Sequence, residues 1–318
     1  MNKEPIAWVK EAAFLGACDG LPLRYHIGFP PKWHAGDPIV ILLTGRAECL
    51  DKYDRVQKAL LERGVAVLRK DWRGQGGSGR MLPDSHKGHV TDFALYLDDL
   101  QRILQIVVTP LQPGGLVLMG HSMGSHLALR HLLSGAKGVC AAILESPMFS
   151  IDTWPLPYGL VRKICTRARA MGLEDRYIPA GGPFRADLAF KGNNLTGDPE
   201  HFFRFQNFLI QHPSMQMGAP TLGWLHAASL SMDQLWQELK KKKLDTPILM
   251  LSGEADQVVR PKDHRKACTF LPRGICVSFP KGRHELFMER AEIRQMLWQH
   301  VDVFGRQQGF FPKLPAQV

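Results

Sequence analysis

The chain has 318 residues, of which 45% are hydrophobic and 22% are charged, and it carries a formal net charge of +10. This composition is typical of a globular protein with an ample core, and the length suits one large α/β domain with an insertion, or two domains. No apolar run approaches the ~18 residues of a membrane span, and the first residues lack a signal-peptide pattern. We therefore expect a cytoplasmic protein.

The basic charge is compatible with nucleic acid, an anionic membrane surface or an acidic substrate as partner. No nucleic-acid-binding motif accompanies it, so we expect no nucleic-acid partner. Residues 240–243 are four consecutive lysines. Their simplest interpretation is a solvated connection before a strand, and the alternative is peripheral contact with anionic lipids at the inner membrane.

The cysteines are scattered along the chain, and no two of them form a C-x-x-C pair. Several fall in predicted strands or helices, which favours reduced, small core residues over a disulfide framework. They are Cys18, Cys49, Cys140, Cys165, Cys268 and Cys276.

Strand and helix patterns alternate through the first part of the chain. An Asp19-Gly20 turn predicts a hairpin within residues 14–25, and the apolar run 38–43 predicts a strand buried on both faces. A helix follows and stops at Gly64, after which residues 65–68 form another strand. Regular alternation of this kind implies a largely parallel, doubly wound sheet.

The next segment contains a glycine-rich loop over residues 71–79. It lacks the lysine and threonine of a P-loop, so we interpret it as a tightly folded loop and not as a phosphate site. Thr91 is then expected to cap a helix whose apolar residues follow at helical spacing. That helix leads into the strand before residue 120.

Residues 116–119 are apolar and run directly into Gly-His-Ser-Met-Gly at 120–124, beyond which residues 125–133 read as a helix. A strand, a tight turn with serine at its apex and a helix form the context in which G-x-S-x-G has chemical meaning. We therefore predict that Ser122 is a nucleophile, placed near the free N–H groups of a helix terminus. His121 beside it is interpreted as part of the turn structure.

The alternation breaks between residues 150 and 240, where proline, glycine and aromatic residues are frequent, and it resumes at a strand over 247–251. We expect this insertion to be a mostly helical cap. The predicted division is therefore an α/β core of residues 1–149 and 241–318 with a cap, or lid, of residues 150–240.

A serine hydroxyl needs a base and a group that orients the base. Candidates follow three predicted strands in the order Ser122, Asp256, His284, the order associated with α/β-hydrolases. Glu254 is a rival acid, but Asp256 lies further into the loop. The paired histidines elsewhere have no carboxylate at ligand spacing, so we expect no metal and no cofactor.

An oxyanion hole completes this chemistry with two backbone N–H groups. Met123, directly after the nucleophile, is expected to supply one. Arg46, in the loop that follows the strand 38–43, is expected to supply the other, because Gly45 before it lets the backbone approach closely.

These motifs resemble the monoacylglycerol lipase and lysophospholipase group of α/β-hydrolases, often labelled serine aminopeptidase-like, and two stretches are similar to bacterial lysophospholipases. The stretches are residues 71–99 and 197–221. The resemblance implies the α/β-hydrolase fold and the same roles for Ser122, Asp256, His284, Arg46 and Met123. Thr44 and Arg46 stand where monoacylglycerol lipases usually have histidine and a small residue, which is closer to the lysophospholipases.

The expected activity is hydrolysis of a lipid monoester, a lysophospholipid or a monoacylglycerol, through an acyl-enzyme on Ser122. Two alternatives within the enzyme class are a generic carboxylesterase and an aminopeptidase, and the latter would need an acidic anchor for the substrate's amino terminus. A non-catalytic binding protein on a hydrolase scaffold is the alternative from another class.

Overall fold

The computed structural model describes residues 11–153 and 156–311. Its centre is an eight-stranded sheet with the order β1-β2-β4-β3-β5-β6-β7-β8. The strands are β1 (Ala13–Gly16), β2 (Pro22–Gly28), β3 (Ile39–Leu43), β4 (Ala66–Lys70), β5 (Leu116–His121), β6 (Val139–Glu145), β7 (Ile248–Gly253) and β8 (Gly274–Phe279).

The strands from β4 to β8 in this order are parallel, whereas β2 pairs antiparallel with both β1 and β4. The predicted hairpin is confirmed, since β1 and β2 flank the Asp19-Gly20 turn. The central strands β3 and β4 are buried along their whole length, as continuous apolar runs in parallel sheets require. The catalytic candidates follow the carboxyl ends of β3, β5, β7 and β8.

Helices cover both faces of the sheet. They are α1 (Asp54–Glu62), α2 (Ala94–Ile103), α3 (Met123–Leu133), α4 (Tyr158–Ala170), α5 (Pro199–Gln211), α6 (Leu222–Lys241), α7 (Pro261–Cys268) and α8 (Ala291–Gln307). Apolar residues of α1 and α8 form one core cluster with the sheet, and those of α2, α3, α6 and α7 form the other. The chain therefore has the α/β-hydrolase fold, with a doubly wound, mostly parallel sheet.

The start of α2 differs from the prediction. The helix begins at Ala94, and Thr91 does not cap it. The N-cap residue is Phe93, whose side chain makes no capping hydrogen bond. The carboxylate of Asp92 lies just before it, and its Oδ1 accepts a hydrogen bond of 2.8 Å from the backbone N–H of Ala94. An aspartate one residue closer to the helix reaches the free N–H groups of the first turn.

The segment between β6 and β7 contains α4, α5 and α6. The inner side of α6 joins the core cluster that also includes α3, with Ala228 and Leu235 fully buried. The division of the chain at residues 150 and 240 stays a prediction. Within the described residues, no helix is long and apolar enough to cross a membrane. The cytoplasmic location and the lipid contact of residues 240–243 also stay predictions.

Candidate active site

Ser122 occupies the turn between β5 and α3. Its backbone has φ 51° and ψ −113°, a conformation that is strained for any residue with a side chain. The backbone is held there by hydrogen bonds. Ser122 N–H donates to the Glu145 carbonyl at 2.9 Å, and the Ser122 carbonyl accepts from the N–H of His126 at 3.0 Å. The turn is therefore the sharp nucleophile elbow that the motif predicts.

The two glycines of the motif are required by close backbone contacts. A Cβ on Gly120 would lie 2.6 Å from the backbone nitrogen of Ser125, and one on Gly124 would lie 2.1 Å from the carbonyl oxygen of Leu43. Neither neighbour can move without displacing a strand or a helix. Glycine at these positions lets α3 start directly against the end of β3, which brings the elbow close to the Gly45–Arg46 loop.

Asp256 and His284 form a hydrogen-bonded pair at the ends of the neighbouring strands β7 and β8. His284 Nδ1 lies 2.7 Å from Asp256 Oδ2, and both side chains are buried. Asp256 Oδ1 accepts from the N–H groups of Val258 and Val259 at 2.8 and 3.1 Å. Burial alone would raise the pKa of Asp256, but its hydrogen bond with His284 and these N–H groups hold it below the ordinary value. Asp256 is thus an ionised acceptor aimed at the His284 ring.

Backbone contacts between the two loops create this pair. The N–H of Ala255 donates to the Gly282 carbonyl at 2.9 Å, and a Cβ on Gly253 would lie only 2.3 Å from the Arg283 carbonyl oxygen. The loops therefore pack backbone against backbone. The rival acid Glu254 is exposed to solvent, whereas Asp256 faces His284.

The His284 ring also lies beside the nucleophile elbow. Its centroid is 4.7 Å from that of His121, the residue directly before Ser122. Ser122 Oγ makes no hydrogen bond to any residue of the described ranges, 11–153 and 156–311. The hydrogen bond from Ser122 Oγ to His284 Nε2 stays a prediction, because hydrogen bonds of this kind often form only in the substrate complex.

The predicted oxyanion donors lie on the two sides of the elbow. Met123 is the first residue of α3, so its N–H has no acceptor within the helix. In the Gly45–Arg46 loop, the N–H of Ala47 donates to Gln75 Oε1 at 2.7 Å, and the N–H of Gly45 donates to Glu48 Oε2. Arg46 N–H lies between these anchored groups and bonds to no residue that the structure describes.

A buried ionic network, which the sequence analysis did not predict, lies beneath the elbow. Lys52 Nζ contacts Glu48 at 2.6 Å and Glu285 at 2.7 Å. His121 Nδ1 lies 2.9 Å from Glu145 Oε2, and its Nε2 lies 3.8 Å from Glu48 Oε1. We call these five residues the elbow network. It connects the segment that follows the Gly45–Arg46 loop, the elbow and the residue that follows His284. The spacing of Glu48 and Lys52 by four residues was the one signal of it in the sequence.

His121 is a charged member of this network and more than a turn residue. Burial would lower the pKa of its ring, but the facing carboxylates of Glu145 and Glu48 raise it to about 9. Ligand atoms of Glu48, His121 and Glu285 lie within 4.8 Å of one another, a spacing that could hold a metal ion. The ammonium group of Lys52 already contacts both carboxylates, so the donor set is that of an ion-pair network.

A cavity of about 980 Å³ opens beside the loop of Asp256. Its lining includes Glu254, Asp256, Arg260 and Lys262, but neither Ser122 nor His284. Charges of both signs line it, which gives it no preference for one class of ligand.

The sequence profile of the family described as serine aminopeptidase, S33, matches residues 35–291. The chain belongs to this family of α/β-hydrolases. It is also 33% identical over 306 residues to lysophospholipase L2 of Escherichia coli, covering 93% of this chain and 87% of the relative. A probable lysophospholipase L2 of Haemophilus influenzae is 28% identical over 268 residues, covering 84% and 83% of the two chains. The protein is therefore a hydrolase, and its similarity to these lysophospholipases supports an activity on esters.

Solved structures agree on the fold. A soluble variant of monoglyceride lipase from Saccharomyces cerevisiae, in complex with a substrate analogue, aligns with a TM-score of 0.72 at 18% identity, covering 95% of this chain and 97% of the other. A thermostable carboxyl esterase from Bacillus coagulans aligns with a TM-score of 0.74 at 16% identity, covering 95% and 98%. At these identities the likeness shows the shared architecture alone.

Proposed function

We propose that the protein is a serine hydrolase that cleaves lipid monoesters, lysophospholipids or monoacylglycerols, through an acyl-enzyme on Ser122. The observation that carries the proposal is the pair of Asp256 and His284, which stands next to a strained serine elbow. The His284 ring of this pair lies beside His121, the residue directly before Ser122. Such an arrangement is what the serine–histidine–acid mechanism needs.

In the proposed reaction, His284 Nε2 takes the proton of Ser122 Oγ as the oxygen attacks the ester carbonyl. Asp256 accepts the Nδ1–H of His284, which fixes the ring tautomer and stabilises the imidazolium ion. The proton then passes to the oxygen of the leaving alcohol as the ester C–O bond breaks. A water molecule, deprotonated by His284, attacks the acyl-enzyme and releases the fatty acid.

The N–H groups of Arg46 and Met123 are proposed to bind the negative oxygen of the tetrahedral intermediate. Each donor of this kind contributes roughly 3 kcal/mol to transition-state stabilisation. The hydrogen bonds of Gly45 and Ala47 on either side of Arg46 hold the loop in place, so little reorganisation accompanies the reaction.

A lipid substrate is supported by the relatives that are named lysophospholipases. An aminopeptidase would need a free carboxylate near the elbow to bind the amino terminus of a peptide. Glu48 and Glu285 are instead paired with Lys52, and Glu145 faces His121 and accepts from the N–H of Leu286. These buried acids thus already have ion-pair or hydrogen-bond partners, which favours ester over peptide substrates.

The test is Ser122→Ala in purified protein, assayed on lysophospholipids, monoacylglycerols and short-chain nitrophenyl esters. We expect kcat/KM to fall by at least about 10⁴-fold on every substrate that the wild type hydrolyses, because the nucleophile is lost. Activity on nitrophenyl esters alone would indicate a generic carboxylesterase and overturn the lipid assignment.

Ser125→Ala is the matched control. Ser125 lies one turn along α3, is fully buried and donates to the Glu145 carbonyl at 3.0 Å. A fluorophosphonate probe should label the wild type and the Ser125 variant at Ser122, and should not label Ser122→Ala. A folded wild type that the probe leaves unmodified would favour a non-catalytic binding protein.

A further inference from the structure

The side chain of Arg46 extends from the oxyanion loop to the segment between β6 and β7. Its Nη2 donates to the Gly218 carbonyl at 2.7 Å, and its Cζ lies 5.3 Å from the ring centroid of Trp224 in α6. The guanidinium group therefore stands between the candidate oxyanion hole and the helices that cover this side of the sheet.

The charge of Arg46 has no carboxylate partner among the described residues, and its Nε is buried without a hydrogen bond. Two other buried cations of this protein have carboxylate partners. Arg73 pairs with Asp19 and Asp99, and Lys52 pairs with two glutamates. Burial lowers the pKa of Arg46 to about 10, so the group is still charged at neutral pH. A positive charge that is largely withdrawn from water and has no anion beside it can be stabilised by an anionic ligand.

The surroundings leave room for the guanidinium group and access to it. A Cβ on Gly88 would lie 2.6 Å from Arg46 Nη2, so this glycine makes space for the group. Arg46 is partly exposed, and its Nη1 donates to no described residue. At least one nitrogen can therefore donate to a bound anion.

We propose that the Arg46 guanidinium binds the phosphate of the substrate head group and makes the enzyme prefer phosphate-bearing monoesters to neutral monoacylglycerols. The inference rests on the proposed function above. In a lysophospholipid only the glycerol unit separates the phosphate from the scissile ester. One residue would thus hold both ends of this unit, the ester oxyanion with its N–H and the phosphate with its guanidinium, whose planar fork suits phosphate oxygens.

The first experiment compares kcat/KM for lysophosphatidylethanolamine and for a monoacylglycerol with the same acyl chain. In Arg46→Met the ratio of the two values should fall about 10- to 100-fold, because charge-assisted hydrogen bonds to phosphate are lost. Arg46→Lys keeps the charge but loses the planar set of N–H donors. Its substrate ratio should therefore lie between those of the wild type and Arg46→Met. Equal losses on both substrates, or no loss, would overturn the proposal.

Arg80→Met is the matched control. Arg80 also belongs to a loop at this edge of the sheet and donates to a backbone carbonyl of the same segment, that of Ser214, at 2.7 Å. This variant loses an equivalent hydrogen bond and the same charge, but its substrate ratio should equal that of the wild type. If the ratio fell as much in Arg80→Met, the effect would come from the loss of any positive charge or from a shift of the segment between β6 and β7. That result would contradict the proposal.

The second experiment measures binding of glycerol 3-phosphate and of inorganic phosphate by calorimetry, and it does not depend on turnover. Glycerol 3-phosphate should bind the wild type more tightly than inorganic phosphate does, and its affinity should fall at least about 10-fold in Arg46→Met. If the wild type hydrolyses neither lipid but shows this binding, the proposed function fails and the phosphate site stands. Equal binding by the wild type and Arg46→Met, or tighter binding of inorganic phosphate, would contradict a head-group site.

Discussion

Two buried basic side chains at the ends of strands on either side of β3, His121 of β5 and Lys70 of β4, have opposite surroundings. His121 faces the carboxylates of Glu145 and Glu48, which raise its pKa to about 9. Lys70 Nζ has no hydrogen bond to a described residue and lies 3.4 Å from the ring centroid of Trp72. Burial lowers the pKa of Lys70 to about 7.

The contrast shows that burial alone does not decide whether a charge stabilises the fold. Desolvation disfavours both cations, and only the carboxylates around His121 reverse its effect. The elbow network joins three loops of the candidate site, so its charges contribute to the geometry around Ser122. Lys70 supports no comparable set of contacts, and its charge is expected to cost stability.

The largest effect is expected when a member of the elbow network is removed. Lys52→Met leaves Glu48 and Glu285 buried without their cation, which should lower the free energy of unfolding by about 3 to 5 kcal/mol. Urea unfolding measures this difference. Lys243→Met is the matched control, because that lysine is 75% exposed and its ion pair with Asp245, at 3.8 Å, is open to solvent. The control should change stability by less than about 0.5 kcal/mol. A loss for Lys52→Met as small as that of the control would contradict the role of the network.

A smaller, pH-dependent effect is expected at His121. Its folded pKa is about 9 against an ordinary value of 6.5, so its stabilising contribution is complete below pH 6.5 and is lost as the pH rises through 9. His121→Gln removes the titration. The stability difference between wild type and variant should therefore shrink by about 3 kcal/mol from pH 6 to pH 10. Urea unfolding across this range measures it, and a difference that is constant with pH would show that His121 is uncharged in the fold.

The smallest expected effect has the opposite sign. Lys70→Met should raise the free energy of unfolding at pH 7 by about 2 kcal/mol, since an unpaired buried cation gives way to an apolar side chain of similar length. The folded pKa of Lys70 is about 7 and the ordinary value is 10.5, so the gain should shrink as the pH rises between these values. Thermal and urea unfolding at pH 7 and pH 10 provide the measurement. Destabilisation at both pH values would mean that the contact with Trp72 outweighs desolvation.

Local sequence patterns were sufficient to predict most of the sheet. Apolar runs such as residues 38–43 have few alternatives to a strand buried on both faces, and the Asp19-Gly20 turn defines the hairpin. Helix ends were less predictable. Asp92 and Thr91 are both acceptable caps by type, and only the path of the backbone selected Asp92.

In the candidate site, too, some features follow from local sequence and others only from the folded structure. The sequence by itself determined the elbow, because an apolar strand, Gly-His-Ser-Met-Gly and a helix follow one another directly. The close contact of Gly120 lies within this unit, whereas that of Gly124 is made with Leu43 of β3. The sequence also placed Ser122, Asp256 and His284 after three strands, which are β5, β7 and β8. Only the tertiary structure decided that Asp256 and not Glu254 faces His284, and that His121 is held between two carboxylates. It also decided that Arg46 has no carboxylate partner among residues 11–153 and 156–311. Pairing of charges depends on residues far apart in the chain, and their distances are set by the packing of loops at one edge of the sheet.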